Sequence, residues 1–512
     1  MNFDLVIIGF GVIGTETLYY LSKKLKKSNN KISKIAVIEK KTENIPGGIA
    51  YGIENSKYGF FNNPLRLSHP EFISWIGEKE NISKLIKFVK ENPEFMLNNW
   101  LRKNYSNLLK DNKEVYFPRL VYAFFLKERI LTSLKKLSEK KIKIEFFSGE
   151  LDEIKIKENI YLNASRALKK IKISRDFKKI GIERNCRIIK NIRSKYLVIG
   201  TGILPPEKIP HAGNKKKDNY IWDFYAEGGT SNLIKKIYKI KKNKKRIVLT
   251  FIGNKAGLLE TVQQIEHLIF NKGIDIKINT ISSNPLTLQK ARPSINSKKF
   301  KFSIFKIKNL KKIKKASKIL DMLIKEFKFS EAKGFNKYDV WTNILNKNLL
   351  NYCYKKLSQT EKKLYHSIIF PKIRSITRYT FPETIASKER LEKKQKIKFI
   401  KAKATYIKSD KKRIKVFINK KKSINSDIVI NVSGPVPIKK ANNELSFIQS
   451  LKKISNHFND RGFSTDKNFM LKNFIFLPGT LSNNFNPLRQ TIIKAVTNNA
   501  RKVAKNILEN KI

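Results

Sequence analysis

Six residues near the start, Gly9-Phe10-Gly11-Val12-Ile13-Gly14, constrain this chain more than any other segment. They follow the apolar run Leu5-Val6-Ile7-Ile8 and precede a helical pattern with Leu18, Leu21 and Leu25 on one face. A second apolar run, Ile35 to Ile38, ends in Glu39. Strand, glycine turn, helix, strand and acidic residue in this order form the dinucleotide-binding fingerprint. Gly9 permits the sharp turn, Gly11 lets the backbone approach a pyrophosphate, and Gly14 lets the helix pack on the strand. The helix N-terminus offers N–H groups and the positive end of a dipole to the phosphates. Glu39 is expected to accept hydrogen bonds from the ribose hydroxyls, although the gap before it is longer than usual.

A second unit of the same kind begins further on. Ile247 to Ile252 is a continuous apolar run, followed by Gly253-Asn254-Lys255-Ala256-Gly257, a helix from near Leu258 and an alternating strand over 274–281. Its turn lacks the middle glycine, and Lys255 stands in it. After the next strand, Ser283-Asn284 offers no arginine for a 2′-phosphate, which leaves the choice between NADH and NADPH open. Between the two units lie a largely helical stretch to about residue 140, strands over 141–147 and about 150–195, and a buried strand over 196–199 ending in Gly200-Thr201-Gly202. A loop follows near 205–217. Residues 308–327 read as one basic amphipathic helix with Leu310, Ile313, Leu320, Leu323 and Phe327 on its apolar side. Strands return at 397–407, 413–418 and 427–432. The end carries a strand at 474–477, the turn Pro478-Gly479-Thr480 and a helix over 488–509. The expected class is α/β, with two Rossmann-like (three-layer ββα) dinucleotide-binding domains, the second inserted in the first. The expected division is 1–215 and 423–512 for the first domain, and 216–422 for an NAD(P)-binding-like or substrate domain.

Composition narrows the partners. Of 512 residues, 108 are Lys or Arg against 42 Asp or Glu, a formal net charge of +66. A nucleic-acid binder concentrates its charge in one module or stripe. Here lysine is spread along the whole chain together with abundant Ile and Asn, the pattern of an A/T-biased genome, so no specific nucleic-acid partner is expected. The charge draws anionic cofactors and substrates towards the protein. No apolar run approaches the length of a membrane span, and the start reads as a strand rather than a signal peptide; a cytoplasmic chain is expected.

The residues resemble the two-dinucleotide FAD/NAD(P)-binding flavoproteins, within them the family that includes bacterial urate hydroxylases and aspartate N-monooxygenases. Gly48-Ile49-Ala50-Tyr51-Gly52, Phe61-Asn62-Asn63-Pro64 with Ser68, and Pro70, Phe72 and Trp75 carry the resemblance. So do Phe117-Pro118-Arg119 with Tyr122, Thr201-Gly202, Ser433-Gly434-Pro435, and Ser375-Ile376-Thr377-Arg378-Tyr379 through Pro382. The resemblance implies FAD in the first domain, its ADP half held by Gly9, Gly11, Gly14 and Glu39, with Asn62 and Pro64 near the isoalloxazine ring. It implies NAD(P)H as electron donor at Gly253, Asn254 and Gly257. Arg119 has two readings, a partner for the pyrophosphate or ring and an ordinary surface salt bridge. Gly479 and Thr480 either present backbone N–H groups to the flavin or form a plain turn.

Other chemistries are poorly supported. Cys186 and Cys353 are far apart, which argues against a redox pair. No zincin or EF-hand spacing is present, so no metal site is expected, and neither a nucleophile elbow nor a P-loop appears. The histidines His69, His211, His267, His366 and His457 are scattered and read as structural; His69, after the flavin-side loop, is the best of them to touch substrate. Flavin redox chemistry remains. One reading is an NAD(P)H-dependent flavin monooxygenase using molecular oxygen on a small polar or anionic substrate, with Arg374 and Arg378 as candidate clamps or as solvated basic residues. The others are a flavin oxidoreductase without oxygen insertion and a non-catalytic FAD/NAD(P)-binding protein.

Overall fold

The computed structural model describes residues 1–509 other than 26–31, 53–55, 93, 111–112, 174–179, 183–188, 213–218, 255, 284–288, 291–293, 378, 410–412, 420–421, 442–446, 461 and 484–491. Strand β1 (Asn2–Ile8) leads into helix α1 (Val12–Lys24) and then β2 (Lys34–Glu39), which lies parallel to β1 with Leu5 opposite Ile35 and Ile8 opposite Ile38. A helical stretch follows, with α2 (Gly48–Tyr51), α3 (Pro70–Gly77), α4 (Phe95–Lys110) and α5 (Arg119–Glu139). Strand β3 (Lys143–Ser148) joins β2 in parallel, and after an antiparallel excursion β4 (Ile189–Ile199) joins the free side of β1.

The second sheet is built from β5 (Tyr220–Ile221), β6 (Arg246–Ile252), β7 (Asp275–Ser282), β8 (Ile397–Lys401) and β9 (Ile428–Asn431). Its order is β8-β7-β6-β9-β5, all parallel. Helices α6 (Gly229–Lys241) and α7 (Ala256–Phe270) flank β6 in sequence. The chain then returns to the first sheet: β10 (Ile475–Phe476) pairs in parallel with β4, and α8 (Ile492–Glu509) packs on α1. Parallel strands buried on both faces read as unbroken apolar runs. Leu5, Val6 and Ile7 in one sheet and Leu249, Phe251 and Ile278 in the other are accordingly fully buried. Each such side chain contributes about 1.5–3 kcal/mol.

Three details differ from the sequence-based expectation. The strand near 428–431, expected with the C-terminal segment 423–512, pairs with β6, Leu249 opposite Ile428. The Asp427 carboxylate fixes this by accepting the Val248 N–H at 2.8 Å and an ion pair from Lys244. The stretch 397–407 divides between the second parallel sheet and an antiparallel ribbon of 404–409, 414–418 and 422–426. The expected single helix over 308–327 is two, Ile307–Leu310 and Ala316–Ala332. The Glu361 carboxylate accepts the Ala316 N–H at 2.6 Å, an end cap supplied from a distant residue that periodicity cannot reveal. These helices share their core with the first sheet's helices, and nearby residues join it: Phe60 stacks on Phe381 at 4.5 Å, and the hydroxyls of Tyr116 and Tyr338 meet at 3.0 Å.

A buried ionic cluster ties α1, α3, α5 and α8 together. Arg129 donates to both oxygens of Glu16 at 2.6–2.7 Å and pairs with Glu71, while Arg501 reaches Glu71 at 2.7 Å and Glu16 at 3.5 Å. Burial raises the pKa of Glu16. At Glu71 burial acts in the same direction, but the hydrogen bond from Arg501 and the charge of Arg129 outweigh it and hold the carboxyl at about 2. Removing one partner from such a pair strands the other charge. Arg129→Ala is therefore expected to cost about 3–5 kcal/mol, measured as a fall in the midpoint of denaturant unfolding; an unchanged midpoint contradicts the assignment.

Candidate functional site

The first turn forms because no side chain fits its start. Gly9 has φ +86°, and a Cβ there would lie 2.6 Å from the Gly200 oxygen at the end of β4. Its N–H donates to Ile38 O at 2.8 Å, drawing the turn onto the end of β2. A Cβ at Gly14 would lie 2.4 Å from Gly9 O, so Gly14 sets how closely α1 packs on the turn. Gly11 is different: an added Cβ would make only ordinary contacts, the nearest being Gly47 O at 3.6 Å. The first turn of α1 has neither a capping side chain nor an acidic residue. That leaves it suited to an anion.

Glu39 stands beside this helix end. Its carboxylate accepts the Phe10 N–H at 2.8 Å and the Lys41 N–H at 3.1 Å; burial nevertheless raises its pKa. Thr201 and Gly202 follow β4, and the Thr480 hydroxyl donates to Gly202 O. Gly479 packs on Ile13 in the first turn of α1. The fold thus gathers Gly9, Gly11, Gly14, Glu39, Thr201, Gly202, Gly479 and Thr480 at one end of the first sheet. Two buried hydroxyls there, those of Thr15 and Thr201, have no hydrogen-bond partner among the described residues. Orphaned buried donors of this kind call for a bound partner. Together with the bare helix end and the glycine cradle, they fit a dinucleotide.

The second turn repeats the first. Gly253 has φ +97°, its N–H donates to Ile281 O at 2.7 Å, and a Cβ would lie 2.6 Å from Ser433 Cα after β9. Gly257 packs against Val432 where a Cβ would come within 2.4 Å. Asn254 is buried between them; Lys255 and Asn284 lie outside the described residues.

Other candidates fall elsewhere. Asn62 is exposed and accepts from the Thr380 hydroxyl at 3.1 Å, with Pro64 buried two residues on. His69 is the N-cap of α3, its Nδ1 accepting the Glu71 N–H at 3.3 Å. Burial, then the nearby Arg501 charge, lowers its pKa to about 4. In the chain itself this is a capping role. Arg374 lies in the helix Phe370–Ile376, and Arg378 is outside the described residues. Among the described residues no cluster suits a metal ion, and no helix is long and apolar enough to cross a membrane.

Arg119 forms a salt bridge between the two units, but a buried one rather than one at the surface. Its guanidinium pairs with Glu260 of α7 at 2.6 Å, and both side chains are largely buried (17% and 13% exposed). Burial opposes the arginine charge, but Glu260 more than compensates and keeps its pKa above the usual value. Glu260 was missed in the sequence; the one available signal was an acid interrupting the apolar start of a helix.

Residues 6–175 match the family described as FAD-NAD(P)-binding. The flavin and nicotinamide dinucleotides expected from the sequence are thus the ligands of this family. Over 276 residues, 52% of this chain, the sequence is 25% identical to Uncharacterized protein Rv3403c of Mycobacterium tuberculosis. The match spans 48% of that protein, about half its length. In fold the chain is similar to DfoA bound to FAD, the desferrioxamine biosynthetic pathway cadaverine monooxygenase from Erwinia amylovora. That similarity has 11% identity and a TM-score of 0.51, over 100% of this chain and 95% of DfoA. Bacillithiol disulfide reductase YpdA from Staphylococcus aureus is 12% identical with a TM-score of 0.47, over 100% of both chains.

Gly9→Ala is expected to strain the turn by about 1–3 kcal/mol and to lower the unfolding midpoint. Gly11→Ala should leave the midpoint in place, because its Cβ makes only ordinary contacts with Gly47 and Gly48, and is expected to weaken retention of a dinucleotide that approaches this backbone. Equal stability loss in both variants contradicts this distinction. His69 predicts a pH effect: with its folded pKa near 4 against the usual 6.5, the unfolded chain binds more protons between these values. Stability therefore falls as pH drops from 6.5 to 4, by up to about 3 kcal/mol. His69→Asn, which keeps a capping side chain, should flatten that part of the stability–pH curve.

Proposed function

We propose that this chain is an FAD-dependent oxidoreductase, of the NAD(P)H-dependent monooxygenase type, acting on a small polar or anionic substrate with molecular oxygen. In this reading it comprises two Rossmann-like units, the second inserted in the first. The first takes residues 1–215 and the C-terminal segment; the boundary expected at 423 moves to about 432 because β9 belongs to the second sheet. The observation that carries the reading is the repetition of one glycine turn, Gly9 and Gly253, each pinned by its N–H to the neighbouring strand and closed by the next strand's end.

When bound, the flavin supplies the electron-transfer chemistry. The chain's own groups bind and orient. The N-terminus of α1 faces the diphosphate, Glu39 the adenosine ribose, and the Thr201 hydroxyl and the Gly479-Thr480 turn the flavin side. Gly253, Asn254 and Gly257 take the nicotinamide dinucleotide. Asn62, held by Thr380, lies where the helical layer meets the first unit, beside Phe60 and Phe381, and lines the way to the substrate. A thiol-exchange role is disfavoured, since Cys353 is fully buried in its helix and burial pushes its thiol up to about 12.

The test is NADH and NADPH oxidation by the flavin-loaded protein with a panel of small amines, amino acids and carboxylates under labelled oxygen. Substrate-stimulated oxidation with label in the product is expected. Stimulated oxidation without label reduces the assignment to an oxidoreductase that does not insert oxygen, and no oxidation by a flavin-loaded protein contradicts enzymatic function.

A further inference from the structure

We infer that the Arg119–Glu260 ion pair is a clamp that fixes the two glycine turns relative to each other, with Glu260 as a positioning residue for electron transfer between the two nucleotides; this rests on the two-nucleotide reading above. Helix α7 leads directly out of the second glycine turn. Glu260 lies one turn into it, and His267 seven residues further on the same face. Both reach the first unit. Glu260 meets Arg119 at 2.6 Å, and the His267 ring stacks on Phe95 at the start of α4, centroids 3.7 Å apart and planes 14° from parallel. A helix held at two points two turns apart is restrained in both tilt and rotation.

The first unit holds its end of the pair as firmly. Arg119 opens α5; its backbone N–H donates to Gly59 O at 2.9 Å and its Nε to Phe60 O at 3.3 Å. Gly59 lies against the side chain, where a Cβ would come within 3.2 Å of Arg119 Cδ. Tyr51 feels the charges of both Arg119 and Glu260. It closes α2, which begins at Gly48, and a Cβ on Gly48 would sit 3.0 Å from Gly11 Cα. Gly48, beside the first glycine turn, and Tyr51, in the field of the Arg119–Glu260 pair, thus share one short helix, and the pair itself reaches the helix of the second turn. The pair is mostly shielded from water, so salt screens it weakly.

The test has one readout that needs no cofactor. Spin labels at Lys103→Cys and Lys272→Cys, in a Cys186→Ser background, report the separation of the two units in the cofactor-free chain. The parent is expected to give one narrow distance distribution. Glu260→Gln, which keeps the shape and removes the charge, should broaden or shift it, and Glu260→Asp should recover most of the narrow population. In the FAD-loaded protein, Glu260→Gln should slow flavin bleaching by NAD(P)H roughly 10- to 100-fold, while bleaching by dithionite and nucleotide affinity stay near the parent's. An unchanged distance distribution in Glu260→Gln overturns the clamp, and unchanged bleaching overturns the positioning role. If Glu260→Gln does not fold, Phe95→Leu removes the second anchor and must produce the same broadening. A parent chain that shows the narrow distribution but is not bleached by NAD(P)H leaves the clamp standing and refutes the two-nucleotide reading instead.

Discussion

A chain reversal that only glycine can make governs this molecule. At Gly9 the backbone takes a positive φ while three strand ends converge: the N–H binds Ile38 O, and the Gly200 oxygen occupies the space a side chain would need. Any other residue there must push apart β1 and β4, whose pairing builds the centre of the first sheet. The turn also aims the bare N-terminus of α1 at whatever lies beyond the strand ends. The geometry of the binding end is thus inseparable from the packing of the sheet. That the same arrangement recurs at Gly253, with Ile281 and Ser433 in the matching places, gives the chain two equivalent ends.

The glycine turns were legible in the sequence because their physics is local: a positive φ and a close approach exclude every side chain, and the flanking apolar runs identify the strands. What depended on distant partners was not legible. Arg119 showed a charge without an address, since Glu260 is brought to it only by the docking of α7. His69 followed the loop expected near the flavin, yet it caps α3 and is kept neutral by burial and by Arg501. The run 428–431 read correctly as a buried strand, but an apolar run carries no information about which sheet it joins; Asp427, through Val248 and Lys244, decides that. In the same way the break between the helices 307–310 and 316–332 is set by Glu361, invisible to hydrophobic periodicity.

The helices between 307 and 376 follow the second unit's first strands in sequence but share a core with the first unit. Tyr338 of this layer meets Tyr116, and Phe381 just after it stacks on Phe60, while Arg119 with Glu260 and Phe95 with His267 make further contacts between the two parts. Such bracing limits relative motion of the two sheets, because sheets connected only by loops move relative to each other. The +66 charge, spread over the whole chain, acts at longer range by raising the local concentration of anionic ligands.

What the first glycine turn holds decides the proposed function. The most direct measurement is the visible absorption spectrum of the purified protein, before and after incubation with excess FAD and removal of the unbound cofactor. The bands of oxidised flavin, at one FAD per chain, are the predicted result. A colourless protein that retains no flavin after reconstitution contradicts it.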